Sequence, residues 1–367
     1  MKIVVDCRYV RVERHDGISR YTTGLVTALA QLHPVTMLIS DRRQLAHLPD
    51  QPWHQVSAPT SIREPLVARQ VRRLLEPDAV VFSPMQTMGS WGRRYGLVLT
   101  LHDLIYYRNR TPPPEFAAPI RLLWWLYHLA WWPQRVLLNR ADAVVTVSET
   151  TATLIAAHRL TRRPVTVVPN APDPAPDLPP APRTRALVYM GSFMPYKNVA
   201  TLASAMGSLP DHELHLMSRI SADERGRLTA LAAGGRLVFH DGATDQTYRE
   251  VLRGATALVS ASRDEGFGLP LVEAMGLGTP VVVSDIPVFR EVGGDAAAYV
   301  HPDDVAGFVR AVRELDEPGR WDERSAAARQ RAARYSWSSS AVTLLALLER
   351  VTADRSRYRP RQASGDV

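Results

Sequence analysis

Short apolar runs alternate with helix-patterned stretches along almost the whole chain, and nothing else in the sequence constrains the fold as strongly. Runs of four to seven residues recur as KIVV, VTMLIS, DAVVFS, GLVLTL, DAVVTVS and VTVVP, and later as ALVYMG, ELHLM, RLVFH, TALVSAS and TPVVVS. Helical segments lie between most of them, the order expected of parallel sheets covered by helices on both faces. The stretch APDPAPDLPPAP (171–182) separates the two sets and holds six prolines in twelve residues. So few free amides cannot continue a sheet, and the stretch reads as a semi-rigid linker. The expected fold is therefore α/β: two Rossmann-like, doubly wound domains facing each other across a cleft. The first takes residues 1–170, the linker 171–183 and the second domain 184–335. A crossover helix over 336–353 returns to the first domain, and a disordered tail follows at 354–367. A chain of 367 residues is long enough for about two such cores.

Composition excludes several function classes. With 44 basic and 37 acidic residues the net charge is +7, an ordinary soluble balance unlike that of a disordered, collagenous or coiled-coil chain. The single cysteine, Cys7, excludes an intramolecular disulfide framework and a cysteine-rich metal site. No apolar run reaches about 18 residues, and MKIVVDCR begins directly as a strand, so neither a membrane span nor a signal peptide is expected. The expected location is the cytoplasm, including the inner face of its membrane. Arginine supplies every basic position except Lys2 and Lys197 without forming a clustered stripe, so no nucleic-acid partner is expected. A loop lysine in such a chain stands out.

Polar residues gather where strands end: Asp6 and Arg8, Ser83, His102 and Asp103, and Ser148. Open parallel sheets bind ligands beyond the carboxyl ends of their strands. The competing reading for each is a turn residue satisfying local backbone.

The run SRDEGFGLPLVEAMGLGTP (262–280) carries the clearest chemistry. Gly266 and Gly268 bring bare amides close to a ligand, and Pro270 suits the first turn of a helix. A helix that starts after a glycine loop offers unpaired N–H groups and a positive dipole end to an anion such as a diphosphate. Glu265 and Glu273 would repel that anion. They are suited instead to accept hydrogen bonds from hydroxyls on either side of it, those of a sugar and a ribose.

Taken whole, this run resembles the signature of the retaining family-4 glycosyltransferases of GT-B fold, a glutamate pair around a GFGLP-type loop. DGISRYTTGL, LTLHDLIY, RADAVVTVSE, VVPN, YMGSFMPYKN and TPVVVSDIPVFREVGGDAAAYV extend the resemblance over nearly the whole chain. It implies that Glu265 holds a donor-sugar hydroxyl and Glu273 the nucleotide ribose. Gly266, Phe267, Gly268 and Leu269 form the amide loop beside sugar and diphosphate. Lys197 contacts the diphosphate, after the strand-ending Gly191 and Ser192. His102 stands at the reaction centre beside the acceptor, and Gly17 with Ile18 forms the loop through which the acceptor side approaches the phosphates. Asp103, Ser148 and Asn170 belong to the matched segments with less definite roles. Ser192 and Tyr196 depart from the arginines common in the family, so the cation that assists Lys197 is either Arg219 or Arg263.

The resemblance implies a hexosyltransferase that retains configuration, with the acceptor attacking on the face the diphosphate leaves from. The donor is GDP- or UDP-linked, with GDP-mannose favoured by the DIPVFREVGGDAAAYV segment; the acceptor is a glycan, glycolipid or small molecule. No Asp-x-Asp pair occurs, so no metal and no other cofactor is expected. The alternatives are an epimerase or phosphorylase of the same fold, and a non-catalytic sugar-nucleotide-binding protein. The missing G-x-G-x-x-G after the first strand disfavours a dinucleotide oxidoreductase.

One further segment, IRLLWWLYHLAWWPQRVL (120–137), holds four of the eight tryptophans. On one helix, Trp124, Trp125, Trp131 and Trp132 share a face with Arg121, His128 and Arg135. Leu122, Leu126, Leu129 and Leu137 take the other. The expectation is that leucine faces the core, leaving the Trp/Arg face for a membrane surface or for a groove within the domain, with Pro133 ending the helix.

Overall fold

A computed structural model describes residues 1–13, 16–76, 78–112, 117–173 and 181–357. The chain forms two compact units, Met1–Asn170 with Trp337–Val367, and Ala171–Ser336.

The sheet of the first unit holds β1 (Ile3–Asp6), β2 (Val35–Ile39), β3 (Trp53–Gln55), β4 (Val80–Ser83), β5 (Gly96–Leu101), β6 (Ala143–Thr146) and β7 (Val165–Val167). Their order is β3-β2-β1-β4-β5-β6-β7, and every pair is parallel. β1, β2, β4, β5 and β6 are buried at every position, as continuous apolar runs require when helices cover both faces. The second unit repeats the plan with β8 (Ala186–Tyr189), β9 (Glu213–Leu216), β10 (Arg236–Phe239), β11 (Ala257–Ser260), β12 (Val281–Ser284) and β13 (Ala298–Val300). Its parallel order is β10-β9-β8-β11-β12-β13. The order in each sheet reverses direction beside its first strand, so loops leaving neighbouring strands diverge there and open a crevice at the carboxyl ends. The doubly wound α/β class read from the sequence is the one observed.

The last helix runs Trp337–Arg357, longer than the 336–353 expected. Residues 354–357 are thus helical rather than part of a tail, and 358–367 lie outside the described residues. This helix belongs to the first unit. Its Trp337 ring lies where a Cβ on Gly24 would stand, 2.3 Å from the nearest ring atom, so only glycine lets it pack on the helix Gly17–Leu32. Of the proline-rich stretch, 174–180 lie outside the described residues.

The tryptophan segment differs from expectation. It forms two helices, Ala118–Tyr127 and Trp132–Asn139, and Pro133 opens the second rather than ending the first. Proline at N1 or N2 costs no helical hydrogen bond, which explains its place there. Trp124 and Trp131 turn inward and Leu122, Leu126 and Leu129 turn outward, against expectation, whereas Trp125, Trp132, Arg121 and Arg135 are exposed as expected.

Candidate active site

In the second unit, the strand-end loops after β8 and β11 meet. The Arg263 N–H donates to the Tyr196 carbonyl at 2.8 Å, tying one loop to the other. Across that tie, Lys197 Nζ donates to Glu265 Oε1 at 2.6 Å, both side chains being mostly buried. The ammonium also lies 5.3 Å from the centroid of the Tyr196 ring, whose π face stabilises it. A turn through Asn198, in the left-handed region at φ 51°, ends the short helical turn Pro195–Lys197.

The helix Leu269–Gly276 starts from Gly268, at φ +94°, with no side chain capping it. A Cβ at Gly268 would also stand 2.8 Å from the Phe289 ring, so backbone angle and close approach both require glycine. Proline in the first turn and an uncapped start leave the positive end of the dipole facing the loop of Glu265 and Gly266. Phe267 is buried and meets Tyr335 edge to face at 5.5 Å, so its ring anchors the loop while its backbone stays in it. Glu273 is half-buried within the helix.

Gly191 donates its N–H to Ser218 Oγ at 3.3 Å, and Tyr189 Oη donates to the Ser192 carbonyl at 2.6 Å. Of the two arginines expected to assist Lys197, Arg263 is paired with Asp303 and also donates to Asn198 Oδ1. Arg219 is exposed beyond β9, the strand next to β8, and has no ion pair among the described residues.

In the first unit, His102 follows β5. Its Nε2 lies 2.7 Å from the Pro84 carbonyl, which can only accept, so Nε2 carries the hydrogen and Nδ1 the lone pair. Burial lowers the imidazole pKa below 6.5, outweighing the Pro84 carbonyl and the Asp16 charge, and the ring is neutral at pH 7. The Tyr21 ring packs against it at 5.0 Å. Gly17 is the first residue of its helix rather than a loop residue. Asp16 caps that helix by accepting from Ser19 N at 2.8 Å, and open space surrounds the Gly17 Cβ position. Ile18 lies in the same first turn, its carbonyl accepting from Thr22.

Two other strand-end residues bond local backbone. Ser148 caps the helix Glu149–Ala157 by accepting from Thr151 N, and Asp103 accepts from Ile105 N. Asn170 is buried as the last residue before the second unit begins. Asp6, Arg8 and Ser83 join a network that the sequence reading missed. Arg8, buried, grips Asp6 through Nε at 2.7 Å and Nη2 at 2.9 Å, and Glu64 through Nη1 at 2.7 Å and Nη2 at 3.0 Å. Ser83 Oγ donates to Asp6 at 3.1 Å. Glu64 lies 56 residues from Arg8, too far for any local signal to pair them.

Comparison with known proteins gives two domain matches. Residues 15–175 match the model described as Glycosyltransferase Family 4, and residues 184–317 the model described as Glycosyl transferases group 1. An O-antigen chain mannosyltransferase of Salmonella typhimurium is 23% identical over 313 residues, 82% of this chain and 87% of that protein. A phosphatidyl-myo-inositol mannosyltransferase of Mycolicibacterium smegmatis is 33% identical over 177 residues, 46% of each. Among solved structures, a sucrose-phosphate synthase of Thermosynechococcus elongatus superposes with a TM-score of 0.71 at 19% identity, covering 96% of this chain and 99% of that one. The fold is GT-B.

Proposed function

The chain belongs to the glycosyltransferases built from the family 4 and group 1 domains, and we propose that it transfers a hexose, mannose from GDP-mannose, to a hydroxyl acceptor with retention of configuration. The Lys197–Glu265 pair, set beside an uncapped helix start, carries this reading. The diphosphate sits against the loop amides and the helix dipole and takes the Lys197 ammonium, with Arg219 as second cation. Glu265, released from Lys197, accepts from a sugar hydroxyl, and Glu273 accepts from the ribose. The bond from the anomeric carbon to the diphosphate oxygen breaks, and the bond from that carbon to the acceptor oxygen forms on the same face. The acceptor proton passes to the departing diphosphate. Charge grows on that diphosphate as the bond breaks, and pre-placed positive groups there lower the barrier.

His102, neutral and held by Pro84, offers Nδ1 as an acceptor that orients the incoming hydroxyl. Mannose is supported by the names of the two sequence relatives. The reaction is independent of metal, a reading supported by the absence of an Asp-x-Asp pair and by the cations at the site. The acceptor is a glycan, glycolipid or small molecule, and the enzyme works in the cytoplasm.

A thermal-shift panel of nucleotide sugars tests the donor, because a ligand that binds only the native state raises its melting temperature. GDP-mannose is expected to stabilise the protein most, and transfer is expected to survive EDTA. A shift confined to UDP-sugars overturns mannose, and loss of activity restored by Mg²⁺ overturns metal independence.

A further inference from the structure

The helix Ala118–Tyr127 and the turn after it are held from beneath by an aromatic stripe spaced as one helix face. Trp124 packs on Tyr106 with ring centroids 5.0 Å apart, and His128 on Tyr107 at 5.0 Å. Trp131 stacks between Tyr107 at 4.0 Å and His158 at 4.1 Å. With this stripe turned inward, the aliphatic residues face solvent. Leu122 is 59% exposed, Leu123 69%, Leu126 50% and Leu129 41%, and no residue of the helix is fully buried. Trp125 and Trp132 flank them at 41% and 65% exposure. Single exposed leucines are ordinary on a protein surface, but a contiguous apolar face marks a binding surface.

Charge says what covers it. Residues 104–140 contain five arginines and one acidic residue, Glu115, which lies outside the described residues. The first unit as a whole has 26 basic and 15 acidic residues, a net +11, whereas the second has 18 and 22, a net −4. The chain's positive charge is thus gathered on the unit that bears the apolar face. A second copy of that face would bring like charges together. Leucine in the centre, tryptophan at the edges and arginine around it match the interfacial zone of a bilayer, where apolar chains bury, indoles sit at headgroup depth and guanidinium groups meet lipid phosphates. Among the described residues no helix is long and apolar enough to cross a membrane.

We propose that the outward face of Ala118–Leu129, with Trp132, docks the first unit on an anionic lipid bilayer. The docking is independent of the donor chemistry, and its test uses no sugar. The full-length protein is sedimented with phosphatidylcholine vesicles containing increasing phosphatidylglycerol. Binding is expected to rise with the anionic fraction and to fall with salt. Leu122→Ser with Leu126→Ser is expected to lower the partition coefficient by roughly tenfold or more, since two leucines leave the interface. Arg121→Glu is expected to weaken binding to anionic vesicles only. Val342→Ser, at an exposed position on the last helix of the same unit, is expected to leave binding unchanged. All these side chains are exposed, so melting temperatures are expected to stay at the wild-type value. The proposal is overturned if anionic vesicles do not bind the protein, or if the leucine variant binds like the wild type. It is overturned equally if the wild type is a dimer in solution that the leucine variant dissociates, which assigns the face to a second copy.

Discussion

Lys197 and Glu265 neutralise each other across 2.6 Å, so a diphosphate arriving at the loop competes with a carboxylate for the ammonium. Removing that carboxylate's charge frees Lys197. Glu265→Gln is therefore expected to bind free GDP at least as tightly as the wild type, while binding GDP-mannose more weakly relative to GDP and losing transfer. Glu273→Gln, which removes the proposed ribose acceptor, is expected to weaken both ligands alike. Calorimetric titration of GDP and GDP-mannose onto the two variants checks this. Equal loss of GDP affinity in both contradicts the division of roles. Gly17 gives a second test at this scale. Its Cβ direction is open, and alanine suits a helix start at least as well as glycine, so Gly17→Ala is expected to melt at or slightly above the wild-type temperature. If a phosphate approaches that backbone during transfer, the variant is nevertheless expected to lose most activity. Full activity removes Gly17 from the site.

Helices and strands show where local sequence suffices and where it does not. The strands are legible because a parallel sheet covered on both faces demands continuous apolar runs, and β1 and β5 meet that demand at every position. The glycine loop before Leu269 is legible because only glycine takes φ +94° there without strain. The tryptophan segment is not, because its reading assumes one unbroken helix with leucine inward. Packing on Tyr106, Tyr107 and His158 draws Trp124 and Trp131 inward where leucine was expected, and the segment breaks into two helices. The Arg8–Glu64 contact is illegible for another reason: it joins elements that only the tertiary fold brings together. Five histidines packed into these elements add a pH dependence. Burial lowers the pKa values of His102, His128, His212, His215 and His240 below the ordinary 6.5. Between the folded values and 6.5 the unfolded chain binds more protons than the folded one, so stability rises with pH across that window. The stabilisation is complete above 6.5 and is lost as pH falls through it. Urea midpoints measured from pH 8 to pH 5 are expected to hold steady down to about 6.5 and then to decline. A midpoint that rises toward pH 5 contradicts the burial of neutral rings.

At the scale of the molecule, the proposed reaction divides its residues between the units. The second holds Lys197, Glu265, Glu273 and the uncapped helix start, and the first holds His102 and Gly17. The two-domain α/β plan is legible in the sequence because a proline-rich stretch interrupts a strand–helix alternation that resumes on its far side. The uneven distribution of charge, +11 against −4, is hidden in the overall +7 and shows only when each unit is counted by itself. The central claim is that donor affinity resides in the second unit while transfer also needs the first. Calorimetry of GDP-mannose binding beside a transfer assay, on Lys197→Ala and His102→Ala, tests it most directly. Lys197→Ala is expected to lose roughly ten- to a hundredfold in donor affinity, the worth of one charge-assisted hydrogen bond, together with transfer. His102→Ala is expected to lose nearly all transfer while binding donor within a few-fold of the wild type. If donor binding collapses in His102→Ala as well, the histidine belongs to the donor site and the division of labour between the units is wrong.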